Sequence, residues 1–248
     1  MKKVPRTLIF GLILVWVFFA LYPDPSVLVR SIENIRRPNV DPAAVQQLAA
    51  TLPDDPRVIE QIVLDRLVPY QYDWRVNGVP WYFPTTAEAV AWKRGDCESR
   101  AVILASILAA KGIPYHLDMS FDHIWVDYPG KSANSMENSG VALAQYVNGH
   151  LAWHWPKDFH LGAEIKAQLD DYWTPMPVAR KLLLFGGVLL LLLVNPVRRA
   201  RRREDGYNER TQLLATPVAP VWAGLTSAAS ALHGRTTRTF ARRAPATH

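Results

Sequence analysis

Cysteine is almost absent from this chain: Cys97 is the single one in 248 residues. That excludes a disulfide framework and any zinc site built on several thiolates. Mean hydropathy is only −0.03, too low for a bundle of many membrane spans. Charged residues make up 20% against 49% apolar, which excludes a disordered polyelectrolyte. No internal repeat is present. Acid is absent from one end and scarce at the other. Residues 1–22 carry Lys2, Lys3 and Arg6 and no Asp or Glu, and residues 195–248 carry 10 arginines against 3 acids. Residues 23–177 hold 13 basic and 19 acidic residues. The net charge of +6 and the pI near 9.5 therefore belong to the ends. The middle is an acidic domain, and no nucleic-acid partner is expected.

The ends read as membrane segments. Thr7 to Tyr22, TLIFGLILVWVFFALY, is uncharged. As a helix it spans about 24 Å, somewhat short of the ~30 Å hydrocarbon core. A basic flank precedes it and no small-residue cleavage site follows, so 1–22 is expected to be an uncleaved signal anchor. The second run, LLLFGGVLLLLLV at 182–194, reaches spanning length as 178–197 if Arg180 and Lys181 snorkel. Its leucines favour insertion by on the order of 4 kcal/mol. Tyr172 and Trp173 suit an interfacial belt just before it. RRARRR at 198–203 and the N-terminal cations place both ends in the cytoplasm by the positive-inside rule. The expectation is a two-span inner-membrane protein with lipid as a partner and residues 23–177 exported to the periplasm. The basic tail, 198–248, is expected to be disordered.

Within 23–177, Asp41-Pro42 and Asp55-Pro56 read as helix starts, an N-cap followed by proline at the first helical position. Residues 86–92 suggest a further helix, stopped by Gly95. Asp96 is a natural N-cap, with Cys97 in the first turn of a helix that is apolar on nearly every face after Arg100. Gly112 ends that helix, and Pro114 prevents its resumption. YHLDMS and HIWVDY read as strands, and Tyr128-Pro129-Gly130-Lys131 as a type II turn. A buried helix followed by antiparallel strands predicts an α+β domain.

A thiol in the first turn of a helix meets the positive end of the dipole, which lowers its pKa toward thiolate. A histidine beside it accepts the proton during acylation, and a carboxylate or amide orients the imidazole. Cys97 is the candidate nucleophile, and His123, at the start of the second strand, the candidate base. If Tyr128 pairs with Lys131 across a hairpin, His123 faces Met136 and Asn138 is its same-face neighbour. A one-residue change in loop length brings Glu137 opposite His123 instead. Glu137 and Asn138 both remain candidates for orienting the ring. Trp81, in the aromatic loop before Cys97, is the candidate for lining a substrate cleft.

These residues form a pattern. Tyr72-Asp73 is followed by Trp81 with Pro84-Thr85 and Glu88, and then by Gly95-Asp96-Cys97-Glu98. Ala101, Leu108, Gly112-Ile113 and the His123-Ile-Trp-Val strand come after. The pattern, over roughly 58–140, resembles the transglutaminase-like superfamily and looks closest to the bacterial transglutaminase-like cysteine proteinases. The resemblance implies a papain-like core, a cysteine helix packed on an antiparallel sheet. It implies Cys97 as nucleophile, His123 as general base, and Glu137 and Asn138 at the positions of the family's Asp-Asn pair. It departs from the family in having Ser99 where an acid is usual and Glu or Asn where Asp is usual. The reaction implied is acyl transfer at an amide of a protein or peptide substrate. That covers a cysteine protease, an amidohydrolase or a transglutaminase-like acyltransferase. Some relatives bind calcium, but no loop here has EF-hand spacing, and no cofactor or metal is expected. The alternative is an inactive binding or assembly module with the same fold. His150, His154 and His160 suggest a metal site only if 150–154 is helical, which Trp153, Trp155 and Pro156 oppose.

Overall fold

Aspartate followed by proline starts three helices. Asp24 accepts from the Ser26 N–H, Asp41 from Ala43 and Ala44, and Asp55 from Arg57. Each bond satisfies a donor that the first helical turn leaves open, and the proline has no donor to lose. In the computed structural model, which describes residues 5–138, 140–147, 150–153 and 161–194, these open α2 (Pro25–Arg36), α3 (Pro42–Ala50) and α4 (Pro56–Ile62). Before them runs α1 (Arg6–Leu21). The described elements lie almost wholly in one unit, Met1–Leu192. The expectation for 198–248 falls outside the described residues.

Helix α4 runs on as a π-turn, Val63–Leu67. The aromatic loop after it contains a single helical turn, α5 (Asp73–Val76). Helix α6 (Thr86–Trp92) opens on a reciprocal Thr85–Glu88 capping box. It ends at Lys93 in the left-handed conformation, φ 53°, and not at Gly95 as the sequence suggested. Gly95 has another duty. A Cβ there would lie 2.1 Å from Ser99 Oγ, so only glycine fits before the cysteine helix.

Helix α7 (Cys97–Ala110) is the centre of the core. Val102, Ile107 and Leu108 are fully buried between α3, α4 and α6 on one side and strands β1 (His116–Met119) and β2 (Ile124–Asp127) on the other. Its most buried polar residue, Ser106, shares a hydrogen bond of 2.8 Å with Thr86 and accepts from the Asp41 N–H. Gly112, at φ 69°, closes the helix as expected. The sheet is antiparallel throughout, in the order β2-β1-β3-β4, with β3 (Ala144–Val147) and β4 (His150–Trp153) beyond β1. The architecture is α+β.

The turn at Tyr128–Lys131 forms, with Gly130 at φ 87° and the Lys131 N–H bonded to Tyr128 O. The strand expected directly after it does not. Residues 132–143 contain no described strand, and the next strand, β3, pairs with β1. Strand β1 thus has partners on both sides, which the hairpin register from sequence did not allow for. His150 begins strand β4, so 150–153 is extended and not helical; His154 and His160 lie outside the described residues.

Helices α8 (Leu161–Gln168), its π-turn Leu169–Trp173, and α9 (Val178–Val194) complete the described chain. No single described helix is long and apolar enough to cross a membrane. The apolar segments qualify only as pairs with a bent neighbour, at 75° and 105°. Helices α1 and α9 run antiparallel. Trp16 Nε1 donates to Leu183 O, Arg180 donates to Ala20 O, and Gly187 lies against the Trp16 ring.

Candidate active site

The start of α7 and the start of β2 meet at a cavity of about 120 Å³ lined by Cys97, His123 and Glu137 together with Glu60, Tyr70 and Arg100. Each wall is fixed locally. Gly95 bridges to Tyr70, and the Arg100 guanidinium donates to the carbonyls of Leu64 and Val68 on the π-turn. Together they anchor the first turn of α7. His123 closes the β1–β2 connection. Its N–H donates to Ser120 Oγ, its carbonyl accepts from the Ser120 N–H, and its ring stacks on Trp125 at 5.9 Å.

His123 Nε2 lies 3.0 Å from Glu137 Oε1. Lys131 donates to Glu60 at 2.7 Å and pairs with Glu137 Oε2 at 3.1 Å. Burial alone would raise the Glu137 carboxyl. The His123 hydrogen bond and the buried Lys131 ammonium outweigh it and bring the pKa down to about 2. With Nε2 engaged, Nδ1 is the ring nitrogen left for the thiol. Asn138 does not join this group. Its amide donates to Asn134 O and Ser135 O, and its oxygen accepts from the Gly140 N–H. A loop occupies 132–143 in place of the expected strand, and Asn138 closes it.

The thiol is not the preformed thiolate that its helix position suggested. No hydrogen bond joins the Cys97 sulfur to the His123 ring. The thiol donates instead to Glu98 Oε2 at 2.9 Å. Burial raises its pKa most, and the negative charges of Glu98 and Asp96 add to this; the Ile124 N–H facing the sulfur opposes them. The dipole is thus overcome by desolvation and like charge. Asp96 holds the N-cap position but its side chain makes no capping bond. Its carboxyl is buried beside Asp73 and Glu98 and is pushed well up by burial and then by their charges. Asp73 accepts from the Tyr82 N–H and from Asn77, yet burial and the Glu98 charge raise its pKa to about 8.

Trp81 stands at this acidic group. Its indole N–H donates to Glu98 Oε1 at 2.7 Å, so in this arrangement it orients the thiol's partner. Glu98 and Asp73 belong to the sequence pattern but carried no assigned role. Lys131 was visible only as a turn residue. Glu60 gave no signal, because its bond to Lys131 spans 71 residues. A larger apolar cavity of about 620 Å³ lies between the end of α1, residues 165–176 and α9. Tyr172 lines it, its hydroxyl pKa raised by burial first and then by the Glu98 charge.

Compared with protein-family models, with curated proteins and with solved structures, the chain finds no match.

Proposed function

We propose that this protein is a membrane-anchored, transglutaminase-like cysteine enzyme that transfers an acyl group at an amide through a thioacyl intermediate on Cys97. The observation that carries the reading is that Cys97, His123 and Glu137 line one cavity. Glu137 fixes the ring by Nε2 and leaves Nδ1 to take a proton. The neutral resting thiol means His123 acts as a general base at the moment of attack, and not as one half of a standing ion pair. Attack forms the sulfur–carbon bond, the thiol proton passes to His123, and His123 returns it to the leaving amine. Water then gives hydrolysis of a peptide or amide, and an amine gives transamidation. The N–H groups at the start of α7, which Asp96 does not cap, are suited to the oxyanion. Trp81, expected from sequence to line a substrate cleft, instead holds Glu98 beside the thiol, and the chemistry needs no cofactor.

The exposed apolar side chains of α1 and α9, among them Leu8, Phe10, Leu12, Leu182, Phe185 and Leu190, are the surface that lipid would cover. Antiparallel pairing of the two helices, seen in Trp16 against Leu183 and Ala20 against Arg180, is in keeping with both termini on the cytoplasmic side of an inner membrane. Residues 23–177 then lie in the periplasm.

The Cys97–Glu98 hydrogen bond favours a second reading, an inactive binding or assembly module in which the thiol is structural. Alkylation of the full chain by iodoacetamide separates the two. Catalysis requires a Cys97 rate that falls on His123→Ala, together with new amino termini from a protein substrate or capture of a labelled primary amine. A rate indifferent to His123, with neither product formed, leaves the module.

A further inference from the structure

A second group of polar side chains sits on the sheet face turned away from α7. Leu117 and Met119 of β1 enter the core, so alternation puts His116 and Asp118 on the opposite face. The register sets Asp127 of β2 directly across from His116, and Gln145 of β3 across from Asp118. His116 Nε2 lies 3.3 Å from Asp118 Oδ2 and 3.4 Å from Asp127 Oδ2. One ligand atom from each of the three residues lies within 4.8 Å of the other two.

Three features of this group point to a ligand. The first is distance. A charge-assisted N–H···O bond settles near 2.7–2.9 Å, at about which neither carboxylate is found, and one N–H cannot aim at two oxygens. Ligand atoms placed tetrahedrally at about 2.0–2.1 Å from an ion are about 3.3–3.4 Å apart, which is the separation of His116 from each carboxylate, the two carboxylates lying within 4.8 Å of each other. The second is an orphaned atom. Asp118 is 4% exposed; its Oδ2 faces His116, and its Oδ1, with only Gln145 nearby, closes no hydrogen bond of good geometry. Burying a carboxylate oxygen unpaired is costly, and a cation beside it removes that cost. The third is support from behind. Asp127 Oδ1 accepts from the Tyr128 N–H at 2.9 Å, which leaves Oδ2 presented to His116, as outer bonds orient metal ligands.

The geometry points to a divalent metal site, His116–Asp118–Asp127, that takes zinc. One imidazole and two carboxylates suit a tetrahedral zinc ion, whereas calcium or magnesium needs six or more oxygens. The side chains of His116 and Asp127 are 33% and 41% exposed, which leaves room for a water as fourth ligand. Asp127 is four residues along β2 from His123, a distance of about 13 Å in a strand. The ion's role is therefore structural. It clamps β1 to β2 where the turn bearing Lys131 begins, and this holds whether or not Cys97 is catalytic.

The test is calorimetric titration of zinc chloride into the tag-free full chain in detergent micelles, after stripping with a chelator. One zinc per chain at micromolar or tighter affinity is expected, weakened at least tenfold by Asp118→Asn, His116→Gln or Asp127→Asn. Cys97→Ser and the double change His150→Ala/His154→Ala leave binding intact. Cobalt in place of zinc gives the visible spectrum of a four-coordinate ion, without sulfur-to-metal charge transfer. Asp127→Asn is at the exposed rim and covers the case in which a buried variant fails to fold. Absence of saturable binding at micromolar zinc overturns the proposal. So does binding that survives all three ligand changes, or binding lost with Cys97 or with His150 and His154.

Discussion

The Nε2 nitrogen of His123 and the Oε1 oxygen of Glu137 lie 3.0 Å apart, and the second oxygen of that carboxylate is held by Lys131 at 3.1 Å. One acid therefore joins the start of β2 to the turn that follows it. A ring held by Nε2 keeps one tautomer and one orientation, and the loop that carries Glu137 is tied back to α4 through Lys131 and Glu60. The same bonds give the site its acid sensitivity.

Glu137 titrates at about 2 in the folded chain, against 4.5 for a free glutamate. A depressed acid contributes its stability above the unfolded value and loses it as pH falls through the folded one. Its side chain is 19% exposed, so the shift is worth about 3 kcal/mol. Denaturant unfolding of the full chain in micelles is expected to lose that much between pH 4.5 and 2. In Glu137→Gln this loss is absent from the acid limb. Superimposable acid limbs in the two proteins would show that Glu137 is not held as described.

Glu98→Gln is expected to lower the pKa of Cys97. The thiol donates to Glu98 and feels its charge, and both hold the proton on sulfur. Below the midpoint, each unit by which the pKa falls multiplies the thiolate fraction about tenfold. The pH profile of iodoacetamide alkylation should move to lower pH, with a faster rate at neutrality. A profile that does not move would mean that burial and Asp96, without Glu98, set the thiol.

The elements that were legible in the sequence are those with local causes. Asp41-Pro42, Asp55-Pro56 and Gly112 fix helix ends through local bonds and backbone conformation, and the almost wholly apolar stretch 101–108 reads as a core helix. The pairing of β1 with β3 was not legible, because the loop of 132–143 carries no signal of which strand edge it returns to. At the site, Cys97 and His123 were readable from residue type and position at element starts. Reading Glu137 over Asn138 required the loop's own hydrogen bonds, and Asn138 is taken up by Asn134 and Gly140. The thiol's protonation was misjudged because a helix dipole is visible in sequence, whereas the gathering of Asp73, Asp96 and Glu98 is a tertiary event.

That gathering predicts a second pH dependence, of opposite sign to the first. Asp73 is raised to about 8, chiefly by burial and then by Glu98. An acid raised on folding favours the folded state fully below its unfolded pKa, and that contribution is lost as pH climbs to the folded value. Wild-type stability should therefore decline from about pH 4 to pH 8 through this group. Asp73→Asn keeps an oxygen for the Tyr82 N–H and cannot ionise. Its thermal midpoint is expected to be flatter over that window, and a slope equal to that of wild type would count against the shared burial of these acids.

Gly95→Ala tests how the cysteine helix is seated. A Cβ on residue 95 would lie 2.1 Å from Ser99 Oγ and 2.4 Å from Ser99 Cβ. Ser99 is 1% exposed. The added methyl must shift the first turn of α7 or the Tyr70–Gly95 bridge, at about 1–3 kcal/mol for an overpacked site. Ser99→Gly removes both clashing atoms and on its own costs about 1 kcal/mol, as glycine does inside a helix. The double variant should therefore be more stable than the sum of the two single losses, with a favourable coupling of at least about 0.5 kcal/mol. Additive losses in unfolding experiments would mean that the glycine is required for its backbone and not for the space beside Ser99.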